Sequence, residues 1–510
     1  MRLTGHRVTG YSLALLLITL LGLAVRVYHL TAQGIWWDEA WSLWVARMDA
    51  PQVIHLAVVD NHPPLYYLLL HYWMLGFGDS EFVVRFLSVI FSVLAIPMIY
   101  AVGRQLFDKQ VGIVAALILS LSALNVQFAQ ETRMYSLMVL LALISMYFFI
   151  WLLERPSLAF SVGYVAATTL LLYSHAYGFF VVVAQNVYLL ALFLLWRDRP
   201  LRLKSWVVHQ AALLVLYIPW LAVLISQISE VERDFWIPIP TLSTLLVTFY
   251  DYAGTSKLQA IFVLLAVFSV ISYRRISGSL MQSLRSRKIE QFSWEVRLTH
   301  TKEVCLLAVW MLAINIVPFA ISRFSTPIYF YKYTIPASVA LYLFVAAGIR
   351  NIHWNYAKIG VILLISILSL ALCIASAQSP SALTIKPQAR EAVNTVVQNA
   401  KGGDFVIVYP SSHALEFSYY NHRTDLVVTP AVQSSVFWSP SADKDVPSLV
   451  NKTSSDSEGH SRVWLVYANY EARLDQQIVP AISATLNESY SMSFSKHYIG
   501  YDVYLFEKQT

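Results

Sequence analysis

Apolar segments about as long as a membrane-spanning helix recur along most of this chain, and they constrain its fold more than any other feature. A spanning helix needs roughly 20 apolar residues. The sequence predicts eleven such spans, near residues 11–30, 82–102, 111–126, 135–152, 158–174, 178–196, 206–226, 258–273, 303–321, 334–349 and 359–377. The composition agrees, because 57% of the 510 residues are hydrophobic and 13% are charged, against about 25% charged in a soluble domain. The chain is therefore predicted to be a polytopic α-helical membrane protein.

The distribution of lysine and arginine predicts the orientation. Eighteen of these residues fall in alternate segments that begin with the N-terminus, and six fall in the opposite loops before residue 378. Cytoplasmic loops carry the excess of positive charge, so we place the N-terminus in the cytoplasm. The formal charge of +6 is spread over these loops and does not indicate nucleic-acid binding.

The chain changes character near residue 378, where it becomes polar. Alternating runs at 405–409, 463–467 and 502–506 predict strands, and 390–400 predicts a helix. We therefore divide the chain into a transmembrane domain, 1–377, whose first outer loop is 31–81, and a small α/β domain, 378–510. An odd number of spans makes this second domain extracytoplasmic. Cys305 and Cys373 both lie in apolar runs, so no disulfide framework is predicted.

The first outer loop sets two adjacent acids, Asp38 and Glu39, among tryptophans. The tryptophans alone are expected anchors of an amphipathic helix at the membrane interface. The acids need another explanation, since a carboxylate against an apolar surface requires a partner or a shifted pKa. Further along, Asp60 and His62 precede two prolines that form a fixed elbow. His62 could be a ligand, a general acid or a polar turn residue.

The other predicted outer loops also hold polar residues close to the membrane. Glu131 and Arg133 stand before Tyr135 at the mouth of a span, His175 lies between two spans, and Arg323 and Lys332 lie among tyrosines. Each has an ordinary explanation, as an interfacial ion pair, a turn histidine or snorkelling anchors. Together they place acids, histidines and cations on one side of the membrane, which favours a site for an anionic lipid headgroup.

These motifs resemble those of the GT-C membrane glycosyltransferases. Their order is W-W-D-E-A after the first span, H-P-P-L-Y-Y, Q-E-T-R-M-Y-S-L, Y-S-H-A-Y-G and Y-K-Y-T-I-P-A. The likeness covers roughly residues 10–350. It is closest to the bacterial branch related to protein O-mannosyltransferases (family 39) and lipid A aminoarabinose transferases. It implies an enzyme of the bacterial inner membrane whose active site faces the periplasm or exterior.

The resemblance also implies a reaction. An inverting glycosyltransferase of this class moves a sugar from a polyprenyl-phosphate donor to a protein, lipid or polysaccharide acceptor. Asp38 looks like the catalytic acid of the first loop, with Glu39 as its companion and Asp60 and Glu131 as further site residues. Donor phosphate binding is assigned to Arg133, Lys332, Arg323, His62, His175 and Tyr135.

The acid motif that binds metal in oligosaccharyltransferases, D-x-D or E-x-E, is replaced here by Glu131-Thr132-Arg133. We therefore assign no metal ligand and no other cofactor, and metal dependence stays open.

Two other classes compete with the enzyme. A transporter or flippase for a lipid-linked or anionic substrate would use the same acids and histidines for proton relay or binding. Such proteins usually keep charges near mid-membrane and often have repeated halves, whereas here the charges lie at the ends of spans and no internal repeat is visible. A membrane scaffold that displays the tail domain would leave Asp38 and Glu39 without a role.

Overall fold

The computed structural model describes residues 10–198, 200–231, 237–275, 294–298, 300–378, 385–429, 446–470 and 478–509. Several of the cations counted above, including Arg2, Arg7 and Arg233, lie outside the described residues. The chain divides into two compact units. The first comprises Met1–His29, Asp49–Phe77 and Val84–Ser379, and the second comprises Leu30–Met48, Gly78–Val83 and Pro380–Thr510.

Helices make up most of the described chain before residue 379. In order they are Gly10–Val27, Trp37–Ala46, Ala50–Val59, Leu65–Phe77, Glu81–Leu106, Lys109–Ser120, Ala123–Ala129, Tyr135–Glu154, Leu158–Ser174, Gly178–Trp196, Leu203–Val231, Leu242–Ala253, Ser256–Val270, Thr301–Phe324, Ser338–Arg350 and Asn355–Gln378. A 3₁₀ helix, Tyr331–Ala337, precedes the helix that begins at Ser338, and strands β1 (Ile271–Arg275) and β2 (Trp294–Leu298) pair in antiparallel orientation.

Each predicted span overlaps one apolar helix or two consecutive helices, and the prediction of a polytopic α-helical membrane protein is confirmed. Within the described residues, eight helices are long and apolar enough to cross a membrane, or ten if each of two bent helix pairs is counted as one span. The predicted span 158–174 corresponds to a shorter apolar helix, Leu158–Ser174. The helix predicted at 258–273 ends earlier, at Val270, because β1 begins at the next residue. The total of eleven spans stays a prediction.

Polar residues at the helix ends explain where several of these helices begin. Asp108 accepts hydrogen bonds from the backbone N–H groups of Gln110 and Val111, at 2.8 and 3.0 Å. Ser122 and Ser157 cap the following helices in the same way. Such side chains satisfy amide groups that have no partner inside the helix, which matters most where water is scarce.

The second unit contains the predicted α/β domain. Its elements after residue 384 are the helices Ala389–Asn399, Ala414–Tyr420, Val446–Ser457 and Ile478–Asn487, a 3₁₀ turn Ser411–His413, and the strands β3 (Phe405–Tyr409), β4 (Val427–Thr429), β5 (Arg462–Ala468), β6 (Tyr490–Tyr498) and β7 (Tyr501–Lys508). The three predicted strands and the predicted helix are all present. Among the described residues the sheet has five strands in the order β4-β3-β5-β7-β6.

Successive side chains of the central strands belong to two different hydrophobic clusters, so this sheet has a core on both faces. Val406 and Val408 face a cluster that includes Ala392 and Val396 of helix Ala389–Asn399. Their neighbours Phe405 and Ile407 belong to the opposite cluster, and all five residues of β3 are buried. A strand buried on both faces is typical of the parallel part of an α/β sheet, and β3 is indeed parallel to β4 and β5.

Candidate active site

In the described part of the chain, four connections between helices of the first unit bring polar side chains together in one cluster. We define the basic cluster as His62, Arg133, His175 and Lys332, one residue from each connection. The ring of His175 lies 5.5 Å from that of His62, centroid to centroid. It lies 4.8 Å from the ring of Tyr333, the neighbour of Lys332. Residues 62 to 332 are distant in sequence, so only the fold assembles this cluster.

The elbow that the two prolines predicted positions His62. Asn61 has a left-handed backbone with φ 57°, which asparagine tolerates better than most residues. The chain turns there before helix Leu65–Phe77. Nδ1 of His62 lies 2.8 Å from the backbone oxygen of Asp60 and 3.1 Å from its carboxylate Oδ2. Both of these atoms accept hydrogen bonds, so Nδ1 of His62 carries a hydrogen.

Tyr67 joins this elbow to Arg133. Its hydroxyl donates a short hydrogen bond to Oδ2 of Asp60 and accepts one from Nη1 of Arg133 at 3.2 Å. Tyr67 had no predicted role from the sequence. Its place in the first turn of the helix that follows the prolines was the one signal available, because a side chain there faces back toward the elbow.

The connection that carries Glu131 and Arg133 is a tight, buried turn. The N–H of Arg133 donates to the backbone oxygen of Glu131 at 2.8 Å, and both side chains are buried. Gln130 anchors the turn, because its Nε2 donates to the backbone oxygens of Arg26 and Tyr28 at 3.0 and 2.9 Å. These two hydrogen bonds fix the turn that carries Glu131 and Arg133 to the end of the first helix.

His175 is neutral in this setting. Burial lowers its pKa well below the ordinary value, and the neighbouring basic side chains of His62, Arg133 and Lys332 lower it further. Its Nδ1 accepts a hydrogen bond from the N–H of Tyr177 at 3.1 Å, so the hydrogen of the neutral ring lies on Nε2. That Nε2 is buried and has no hydrogen-bond partner among the residues that the structure describes. It is a donor suited to an anionic oxygen.

Lys332 lies in the 3₁₀ helix Tyr331–Ala337, buried among aromatic rings. Its Nζ is 5.7 Å from the ring centroid of Tyr135 and 5.4 Å from that of Phe330. Cations are attracted to the faces of such rings. Tyr135 therefore contacts the basic cluster, whereas Arg323 is exposed in the last turn of helix Thr301–Phe324 and is not brought into it.

The two adjacent acids belong to the second unit. Asp38 and Glu39 lie in the first turn of helix Trp37–Ala46, where the positive end of the helix dipole favours them. Both are buried, and Nζ of Lys386 donates to Oε2 of Glu39 at 2.9 Å. Lys386 was not predicted as a site residue, because nothing in the sequence of the polar tail distinguishes this lysine from others.

Metal-ligating side chains do not converge in the described residues. No three histidine, cysteine, aspartate or glutamate side chains among them lie close enough together to hold a metal ion.

The chain is similar to known proteins in part of its sequence and in its fold. Residues 61–225 match the family model of dolichyl-phosphate-mannose-protein mannosyltransferase. No curated protein matches the chain. Among solved structures, ArnT from Cupriavidus metallidurans in the apo state has a TM-score of 0.63 at 13% identity, covering 96% of this chain and 97% of ArnT.

Two further structures carry lipid phosphates. ArnT bound to undecaprenyl phosphate has a TM-score of 0.62 at 13% identity, with the same coverage of 96% and 97%. The oligosaccharyltransferase AglB from Archaeoglobus fulgidus, in complex with an inhibitory peptide and a dolichol-phosphate, has a TM-score of 0.51 at 12% identity, covering 97% of this chain and 74% of AglB.

The fold is that of a multi-pass membrane protein of the GT-C type, with a small sheet-containing domain after the last apolar helix. The chain is similar to the GT-C membrane glycosyltransferases, in its fold as a whole and in the sequence of residues 61–225. The resemblance predicted from the sequence motifs is thereby confirmed.

Proposed function

We propose that this protein transfers a sugar from a polyprenyl-phosphate donor to an acceptor hydroxyl or amine, with inversion at the anomeric carbon. The observation that carries the proposal is the basic cluster. Two buried cations and two histidines converge there from separate connections, next to helices long enough to cross a membrane.

Phosphate is the group that fits these side chains. Arg133 offers guanidinium donors and Lys332 a compact ammonium, and Nε2–H of neutral His175 adds a hydrogen bond without charge. In low-dielectric surroundings such donors stabilise an anion strongly. Undecaprenyl phosphate bound to ArnT and dolichol-phosphate bound to AglB support a lipid phosphate as the ligand.

The reaction follows from this binding mode. The acceptor oxygen or nitrogen attacks the anomeric carbon, the bond from that carbon to the phosphate oxygen breaks, and the polyprenyl phosphate leaves with the bonding electrons. Arg133 and Lys332 stabilise the charge that develops on the leaving phosphate. Asp38 accepts the proton of the acceptor. One displacement on the face opposite the leaving group inverts the anomeric configuration.

The site of action is proposed from the charge distribution and the resemblance to the GT-C enzymes. We place the protein in the inner membrane of a bacterium, with the N-terminus in the cytoplasm and the active site on the periplasmic or exterior side. There the donor's phosphate bond supplies the activation, and no nucleotide is required. Protein, lipid and polysaccharide are the candidate acceptors.

A transfer assay tests the proposal. Membranes that contain the wild-type protein are supplied with a radiolabelled polyprenyl-phosphate sugar, and label in extracted acceptors is counted. We expect Arg133→Ala and Asp38→Asn each to lower the rate by about 100-fold or more, since removal of a group that stabilises transition-state charge or accepts the proton has effects of this order. Lys257→Ala is the matched control, because it removes an exposed cation from a predicted outer loop.

The outcome separates the competing classes. Label that moves across the membrane but stays on its polyprenyl carrier would favour a transporter. Full transfer by well-folded Asp38→Asn would exclude Asp38 as the base while leaving the donor site intact.

A further inference from the structure

We propose that Lys386 is a positioning residue that holds the acid-bearing helix Trp37–Ala46 by its ion pair with Glu39, so that Glu39 anchors this helix and Asp38 takes the proton. The catalytic part of this inference rests on the proposed function. The positioning part concerns the second unit alone.

The ion pair is almost completely shielded from water. The side chain of Glu39 is 0% exposed and that of Lys386 is 11% exposed, and Nζ lies 2.9 Å from Oε2. Removing one partner from such a pair leaves the other charge buried without compensation, which is strongly unfavourable. A pair this deeply buried therefore holds its two segments together, unlike an exposed surface pair.

Further hydrogen bonds join the chain at Lys386 and Arg390 to residues 31–33, just before the acid-bearing helix. The N–H of Lys386 donates to Oε1 of Gln33 at 2.6 Å. Arg390, one turn further along, donates from Nη1 to the backbone oxygen of Thr31 at 3.0 Å and from Nη2 to that of Ala32 at 2.8 Å. The residues that lead into the acid-bearing helix are thus held by the backbone of Lys386 and the guanidinium group of Arg390.

Tyr420 provides a second set of contacts to the residues before the acid-bearing helix. The hydroxyl of Tyr420 accepts a hydrogen bond from the N–H of Ile35 at 2.6 Å and donates one to Oε1 of Glu81 at 2.5 Å. Oε2 of Glu81 pairs with Nη1 of Arg390 at 2.9 Å. Through Glu81 the three pieces of the second unit form one hydrogen-bonded network.

The two acids are thereby distinguished. One carboxylate oxygen of Glu39 pairs with the ammonium group of Lys386, at the start of the C-terminal segment, which assigns Glu39 to holding the helix. Asp38, its neighbour in the first helical turn, is the acid to which the proposed function assigns proton transfer. This also gives the C-terminal domain a task in the reaction, since it holds the helix that carries the base.

Hydrogen exchange on the full-length protein in detergent tests the positioning directly. We expect Lys386→Met to speed amide exchange in residues 31–46 by about 10-fold or more, because local opening becomes easier when an anchor is lost, while β5 stays protected. Lys386→Arg should restore slow exchange, since it keeps the charge. Lys401→Met is the matched control, because Lys401 is an exposed lysine of the same unit.

A double-mutant cycle tests whether Lys386 acts through Glu39. If it does, Glu39→Gln, Lys386→Met and the double variant should all exchange at similar rates. Additive effects, or unchanged exchange in Lys386→Met, would overturn the inference.

Transfer kinetics provide the second readout. Lys386→Met and Glu39→Gln should lower kcat by about 10-fold or more with little change in KM for the donor, and Lys386→Arg should recover most of it. Loss of activity in Glu39→Gln to the level of Asp38→Asn, with normal exchange in residues 31–46, would instead make Glu39 the base. Absence of transfer by the wild type would contradict the proposed function and leave the exchange result to decide the positioning.

Discussion

Single side chains in this protein acquire their properties from neighbours that the sequence does not reveal. His175 illustrates this. A lone histidine between two apolar segments has no evident role, yet the folded chain surrounds it with His62, Arg133 and Lys332. Burial and these basic side chains keep it neutral, and the N–H of Tyr177 determines which nitrogen carries the hydrogen.

We expect the stability of the protein to depend on pH through His175. Its pKa in the folded state lies well below the ordinary value of 6.5, so below about pH 6.5 the unfolded chain binds a proton that the folded chain does not. The free energy of unfolding should therefore rise with pH up to about 6.5 and be level above it. The slope from one such residue is at most about 1.4 kcal/mol per pH unit.

Thermal unfolding of the purified protein in detergent, between about pH 5 and pH 7.5, measures this dependence. His175→Gln should flatten the acid side of the curve relative to wild type. His422→Gln, which replaces an exposed histidine, should leave the curve unchanged. A wild-type acid slope that persists in His175→Gln would show that other groups cause it.

At the scale of helices, a bend within a predicted span shows how the protein satisfies the polar groups of its backbone. The sequence predicts one span at 111–126, but Lys109–Ser120 and Ala123–Ala129 meet at an angle of 59°. Arg26, buried inside the first helix, donates to the backbone oxygens of Leu119 and Ser120 at 3.1 and 2.9 Å. A charged residue within an apolar span thus satisfies carbonyl groups that the bend leaves without helical partners.

Close helix packing gives a prediction at this scale. Gly348 lies where helices Ser338–Arg350 and Ser256–Val270 touch, and a Cβ there would come within 1.9 Å of the backbone oxygen of Leu265. Small residues allow membrane helices to approach this closely. Gly348→Ala should therefore force the helices apart and lower the free energy of unfolding by about 1–3 kcal/mol.

The control is another helical glycine. A Cβ at Gly360 would meet no atom within 4 Å, so Gly360→Ala should be neutral or stabilise by up to about 1 kcal/mol through its higher helix propensity. Thermal unfolding of both variants in detergent makes the comparison. Equal stability of the two would mean that the helix contact at Gly348 is looser than the backbone indicates.

At the scale of the whole molecule, the next property to measure is the orientation of the chain in the membrane. The excess of lysine and arginine in alternate segments predicts that Arg155 lies in the cytoplasm and Lys257 outside. Both side chains are exposed at the ends of apolar helices.

Cysteine labelling tests this orientation. In a variant whose two native cysteines are replaced by alanine, a cysteine introduced in place of Lys257 should react with a membrane-impermeant maleimide on intact cells. A cysteine in place of Arg155 should react only after the membrane is permeabilised. The reverse pattern would invert the topology, and with it the proposed side of the reaction.

Much of the architecture was predictable from the sequence because its causes are local. A long apolar run must form a helix in a membrane, the strands at 405–409 and 463–467 show in their own composition, and the two prolines after His62 require a turn. The motifs that resemble the GT-C enzymes are likewise short and contiguous. These features determined the class of fold and the resemblance to the GT-C enzymes.

The assembly of the site could not be predicted in this way, because it depends on contacts between residues far apart in sequence. His62, Arg133, His175 and Lys332 meet only when four helix connections converge. The pairing of Glu39 with Lys386 spans nearly 350 positions. The sequence by itself determined that polar groups lie at the ends of apolar helices. The tertiary structure decided which of these groups share a low-dielectric environment. There the charge and protonation of each group depend on its neighbours in space.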